Sequence, residues 1–124
     1  MGMQESNTSF RLHAFILHVL SATTRRPTVE RLLAMLNRSA LVESVRVLAA
    51  VTESDVHIAS LKQSGVIAAD WNVHPRNVAV ALSHMNVWKL VARRNIAFAL
   101  VLEDDVVLRP RCLDGIQAVL ELKE

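Results

Sequence analysis

Phe98-Ala99-Leu100-Val101-Leu102-Glu103-Asp104-Asp105-Val106-Val107-Leu108 is the segment whose reading decides the fold. Five apolar residues run straight into three consecutive acids, and three more apolar residues follow. Burying an unpaired carboxylate is costly, so acids placed this way need solvent, a cation or a basic partner. Residues 98–102 read as a strand buried on both faces, the kind found in parallel sheets. In open α/β sheets the ligand crevice lies beyond the carboxyl ends of the strands. Glu103-Asp104-Asp105 would then stand at a crevice mouth as hard oxygen ligands for Mg²⁺ or Mn²⁺. The competing reading pairs residues 98–102 with 106–108 as an antiparallel hairpin closed by a solvated acidic turn. Glu-Asp-Asp suits a tight hairpin poorly, since it lacks the Gly or Asn that positive φ angles prefer. The surrounding chain has to choose.

Just upstream, residues 76–94 carry the strongest helical pattern. Val78, Leu82, Met85, Trp88 and Ala92 form one apolar stripe, and Ser83, Asn86, Lys89 and Arg93 form a polar ridge. Asn95 turns this helix into the acidic strand. Downstream, Arg109-Pro110-Arg111 breaks the chain before a last helix over 113–122 with apolar Ile116, Val119 and Leu120. Toward the amino end, Pro75 biases His74 away from helix and leaves 70–75 irregular, while 66–69 is a brief strand or a loop. Thr52-Glu53-Ser54-Asp55 resembles a capping box that opens a short helix, with Gly65 as its end. Residues 45–51 read as a second strand. Before it, Val29, Leu32, Leu33 and Leu36 line one helix face, with Pro27 suited to the first turn and Asn37 to the stop. Residues 10–20 hold a buried first strand followed by a polar loop. Strands alternating with helices argue for an α/β fold with a mostly parallel sheet, and that favours the crevice over the hairpin.

The chain has 124 residues, 52% of them hydrophobic and 21% charged, enough for a real core without disulfides or structural metal. The organisation expected is a polar, disordered start over 1–12 and one domain over 13–124. A formal charge of +2 with scattered arginines points away from nucleic acid. The single cysteine, Cys112, excludes an intramolecular disulfide and offers no metal-ligand spacing. The run 13–20 is too short and wrongly flanked for a signal peptide or a membrane span, so a cytoplasmic location, peripheral to a membrane at most, is expected. Met1-Gly2-Met3-Gln4-Glu5-Ser6 fits the degenerate myristoylation pattern. Three glycines provide neither a dinucleotide fingerprint nor a P-loop, so a bound phosphate must rely on metal, Arg or helix N-termini. A receiver-type phosphotransfer domain has this length, but it needs acids after the first strand, where this chain has Ser21 and Thr23. Ser83-His84 lies inside the strong helix, where a lone His is more often structural than catalytic. Arg25 and Arg26 follow the first strand and can face the same crevice, or they are simply solvated.

Ala81-Leu82-Ser83-His84-Met85-Asn86-Val87-Trp88, followed by Ala99-Leu100-Val101-Leu102-Glu103-Asp104-Asp105-Val106, resembles glycosyltransferase family 25, the lipooligosaccharide and collagen-type sugar transferases. The family pattern is a Leu-Ser-His helix, a dozen or so variable residues and a Leu-Glu-Asp-Asp strand end, and both halves stand here at a fitting separation. The resemblance spans most of 13–122 and is strong over about 79–108. It implies a three-layer, GT-A-like (Rossmann-like) sheet with flanking helices, a UDP-hexose donor such as UDP-galactose, Mn²⁺ (or Mg²⁺), and a saccharide or hydroxylated acceptor. By the same resemblance Asp105 is the first choice as metal ligand, with Glu103 beside it at the metal through a bound water, or on the donor sugar or ribose. Asp104 and Arg26 complete the expected donor site, with Ser83 and His84 either helping there or fixing the helix against the strand. Two departures stand out. Leu17-His18-Val19 replaces an Ile-Asn-Leu-like segment, and Val80-Ala81 replaces the Gly-Cys before the Leu-Ser-His helix. The chain also stops soon after the acidic motif, so it is expected to be a donor-binding half, truncated at its carboxyl end. The family's later acidic motifs and general base would lie beyond it, and the catalytic base is unknown. A half-sheet of this kind predicts an apolar surface open to self-association. Two rivals remain at this stage. One is an inactive remnant acting as a nucleotide-sugar-binding or interaction module. The other is a purely structural role in which the acids pair with Arg109 or Arg111.

Overall fold

The computed structural model describes residues 11–122. The polar start, with its myristoylation pattern, lies outside the described residues except for its last two positions. Three strands, β1 (Leu12–His18), β2 (Val42–Ala49) and β3 (Ala99–Glu103), form a sheet ordered β2-β1-β3. Both neighbouring pairs are parallel, so the acidic segment ends a parallel strand and is not the turn of a hairpin. Four helices accompany them: α1 (Arg26–Arg38), α2 (Ile58–Gln63), α3 (Pro75–Arg93) and α4 (Pro110–Leu122).

The central strand explains the layering. Successive side chains of a strand point to opposite faces. Ala14 and Ile16 pack with Val29, Leu32 and Leu36 of α1 and with Leu113 of α4. Phe15 and Leu17 face the other way and pack with Val87 of α3. Near the amino end of the sheet, Leu12 meets Leu41 and Leu120. The sheet therefore lies between α1 with α4 on one face and α3 on the other. Burying a side chain such as Phe15 or Ile16 stabilises the fold by about 1.5–3 kcal/mol.

Several expectations shift. The strand buried on both faces is β1, whereas β3 lies at the edge, with Leu102 its only buried residue. An apolar run reports burial but does not say which strand has two neighbours. β2 begins at Val42, three residues before the expected start, and 66–69 contains no strand. Gly65, at φ +80°, follows α2 in the left-handed conformation that its lack of Cβ permits. Thr52 and Asp55 do form a reciprocal cap, but around a single 3-10 turn at Glu53–Asp55 and not at a helix start. The expected core stripe of α3 is rotated. Val78, Ala79, Ser83 and Val87 are buried, while Trp88 is 62% exposed. Ser83 occupies a core position because its hydroxyl is fully engaged there, which a hydrophobicity pattern does not register. Val119, expected on the apolar face of the last helix, is also exposed, whereas Leu120 of that face is buried as expected, together with Leu113.

Candidate functional site

α1 joins β1 to β2 across one face of the sheet, and α3 leads from β2 to β3 across the other. The connections therefore reverse direction at β1, and the crevice outside the carboxyl ends of β1 and β3 is the place where open α/β sheets bind ligands. A cleft of about 350 Å³ lies there. Leu17 and Val19 contribute from the end of β1, Ala50–Glu53 from the segment after β2, and Arg76, Ala79, Val80, Ser83 and His84 from α3. Glu103, Asp104 and Asp105 close the remaining side, and Arg25 reaches in from the turn before α1.

The three acids have three different environments. Asp104 is 2% exposed. Its Oδ2 accepts from the Val19 N–H at 2.9 Å and from His18 Nδ1 at 2.9 Å. Its Oδ1 accepts from Arg25 at 2.8 Å. An ionised carboxylate only accepts, so this geometry assigns the proton to His18 Nδ1. Burial pushes the Asp104 carboxyl upward, but the bonds from His18, Val19 and Arg25 outweigh it and hold the group below its ordinary value of 3.8. Arg25 is in turn held more firmly charged, first by its bond to Asp104 and further by the fields of Asp105 and Glu103. Glu103 and Asp105 are exposed at the cleft. Oε2 of Glu103 lies 3.3 Å from Nε2 of His84. Among the described residues no ion pair links the acids to Arg109 or Arg111. The basic partners of Asp104 are Arg25 and His18.

The expected site residues thus divide. Glu103, Asp105, Ser83 and His84 share the cleft, and Asp104 forms part of its wall. Ser83 spends its hydroxyl on the scaffold. It donates to the Ala79 carbonyl at 2.9 Å and accepts from the Val51 N–H at 2.9 Å, tying α3 to the segment after β2. Arg26 is an exposed first residue of α1 and does not line the cleft, whereas its neighbour Arg25 does. Two residues were not anticipated. Arg76 follows the helix start, where the His74 ring caps the backbone N–H of Arg76. His18 was read only as a departure from a pattern. Its signal was a polar residue closing an apolar strand, set by the parallel register one step beyond the Leu17–Glu103 pair and so level with Asp104.

Ser83→Ala removes the acceptor for a partly buried N–H, and urea unfolding is expected to show a loss of about 1–2 kcal/mol. A variant as stable as the parent would mean that water replaces the hydroxyl at no cost.

Among the described residues no group of three His, Cys, Asp or Glu side chains is assembled for a metal. Two exposed carboxylates, Glu103 and Asp105, do fit the way Mg²⁺-like ions are held when substrate phosphates and water supply the other ligands. No helix of the described residues is long and apolar enough to cross a membrane. Compared with known families, the chain matches the model described as glycosyltransferase family 25 (LPS biosynthesis protein) over residues 12–124. No curated protein and no solved structure matches it.

Proposed function

The chain belongs to glycosyltransferase family 25, and from that premise we propose that its cleft is the nucleotide-sugar site of a metal-dependent hexosyltransferase of lipopolysaccharide or lipooligosaccharide biosynthesis. The donor is a UDP-hexose, with galactose as the sugar, the acceptor is a saccharide or hydroxylated molecule, and the fold is read as GT-A-like. The observation that carries this reading is electrostatic. The Asp104 charge is matched by Arg25, while Glu103 and Asp105 face the same cleft as exposed carboxylates. Two such charges repel a diphosphate unless a cation stands between them. Mn²⁺ or Mg²⁺ held by Asp105, with Glu103 beside it, would neutralise the charge developing on the leaving diphosphate. Glu103 keeps one carboxylate oxygen clear of His84, and His84 orients the other. The apolar side chains of Leu17, Val19, Ala79 and Val80 suit the wall against which a nucleoside packs. Ser83 then acts by holding that wall in place.

Thermal unfolding with UDP, with Mn²⁺, with both and with neither tests the reading. Both together are expected to stabilise the chain far more than either alone, by about 2.7 kcal/mol at 100 times the dissociation constant. Release of UDP from UDP-galactose should follow. Folded protein with no response to the pair would sink the nucleotide-sugar reading, and a response without any UDP release would leave a binding module.

A further inference from the structure

Asp104 was expected among the donor contacts, yet it is buried and its oxygens are already engaged by three donors. Two of those donors, the Val19 N–H and the His18 ring, belong to the end of β1 and its continuation, so the carboxylate clamps the end of β3 to the end of β1. The third is Arg25, whose side chain is 46% exposed and lines the cleft. Arg25 makes one hydrogen bond, through one terminal nitrogen, to Asp104. A guanidinium carries several N–H donors in a planar fork suited to phosphate oxygens, so most of its donors remain for a ligand. A long, half-exposed arginine loses side-chain entropy when it is fixed. Here the clamped carboxylate has fixed it before any ligand arrives.

We propose that Arg25 is the side chain that takes the diphosphate of the nucleotide-sugar donor, and that Asp104 is its positioning residue, itself clamped by His18 and the Val19 N–H. This inference rests on the nucleotide-sugar reading and adds to it a second cation, fixed in the protein, on the α1 side of the cleft. It also reassigns the middle acid of the motif: Glu103 and Asp105 meet the ligand, and Asp104 does not. Arg26, one residue on, is outside the cleft and has no such part.

The test measures UDP and uridine affinity, in saturating Mn²⁺, for the parent chain, Arg25→Met, Asp104→Asn and the double variant, with folding verified by circular dichroism. Arg25→Met is expected to weaken UDP by about 10- to 100-fold, as for loss of a charged hydrogen-bonding group, and to leave uridine unchanged. Asp104→Asn is expected to weaken UDP by a smaller factor in the parent and by none in the Arg25→Met background, because a positioning residue has nothing left to position. If the parent binds UDP and Arg25→Met binds it equally well, the assignment of Arg25 fails while the nucleotide-sugar reading stands. If the two losses multiply in the double variant, Asp104 does not act through Arg25. A folded parent that does not bind UDP overturns both readings together.

Discussion

Asp104→Ala is expected to cost about 2–4 kcal/mol of folding stability at pH 7, read as a lower urea midpoint. Of the three donors released, Arg25 is half exposed and regains water. The Val19 N–H and the His18 ring do not recover so easily, because His18 is 5% exposed and packed at the end of the central strand. Domains of this size are stable by only about 5–15 kcal/mol, so the loss is a large fraction of the whole. Acid should erase the difference. The Asp104 carboxyl lies below its ordinary value of 3.8 in the folded chain, so as pH falls the unfolded chain takes up its proton first. The stabilisation is complete above that value and disappears as pH drops through the lower, folded one. Urea titrations in a metal-free buffer at pH 7 and again near the acid limit of folding should show the gap between parent and variant closing. A gap that is equally wide in acid would mean that the carboxylate stabilises by packing and not by charge. A variant within about 0.5 kcal/mol of the parent at pH 7 would show that the clamp carries no load.

What the residue pattern revealed, and what it hid, follows from this same clamp. Hydrophobic periodicity was sufficient for α1, whose buried Val29, Leu32 and Leu36 were all anticipated. The alternation of elements was enough to choose a parallel sheet over a hairpin. Periodicity misled on α3, because a serine with both hydrogen-bonding functions satisfied can occupy the core and leave a tryptophan outside. The acidic triplet marked the crevice correctly, but three adjacent acids look alike in a sequence. Only the strand geometry separates them, turning Asp104 back toward His18 and leaving its neighbours in the cleft. Arg25 and Arg26 are an equally silent pair. Both follow the first strand, and which of them faces the crevice depends on the 3-10 turn at Thr23–Arg25. That choice is made by backbone geometry and carries no compositional signal.

Asp105→Asn is expected to lower Mn²⁺-dependent release of UDP from UDP-galactose by about 100-fold or more, while changing stability by less than about 0.5 kcal/mol. The contrast with Asp104 is the point of the experiment. Asp105 is exposed in a turn closed by the Val106 N–H to the Glu103 carbonyl at 3.3 Å, and among the described residues its carboxylate has no hydrogen-bond or ion-pair partner. Its removal therefore disturbs little of the fold. Asparagine keeps the shape and one acceptor oxygen but gives up the charge that would hold a hard dication. The variant should need much more Mn²⁺ for the UDP-induced thermal shift, and UDP alone should repel less, since one carboxylate has been neutralised. Glu103→Gln should show a milder form of both effects, because His84 already engages one of its oxygens. Full activity in Asp105→Asn would remove the metal assignment from this residue. A large stability loss without a change in metal requirement would instead give Asp105 a structural role, and the leaving diphosphate would then depend on the arginines that line the cleft, Arg25 and Arg76, for its neutralisation.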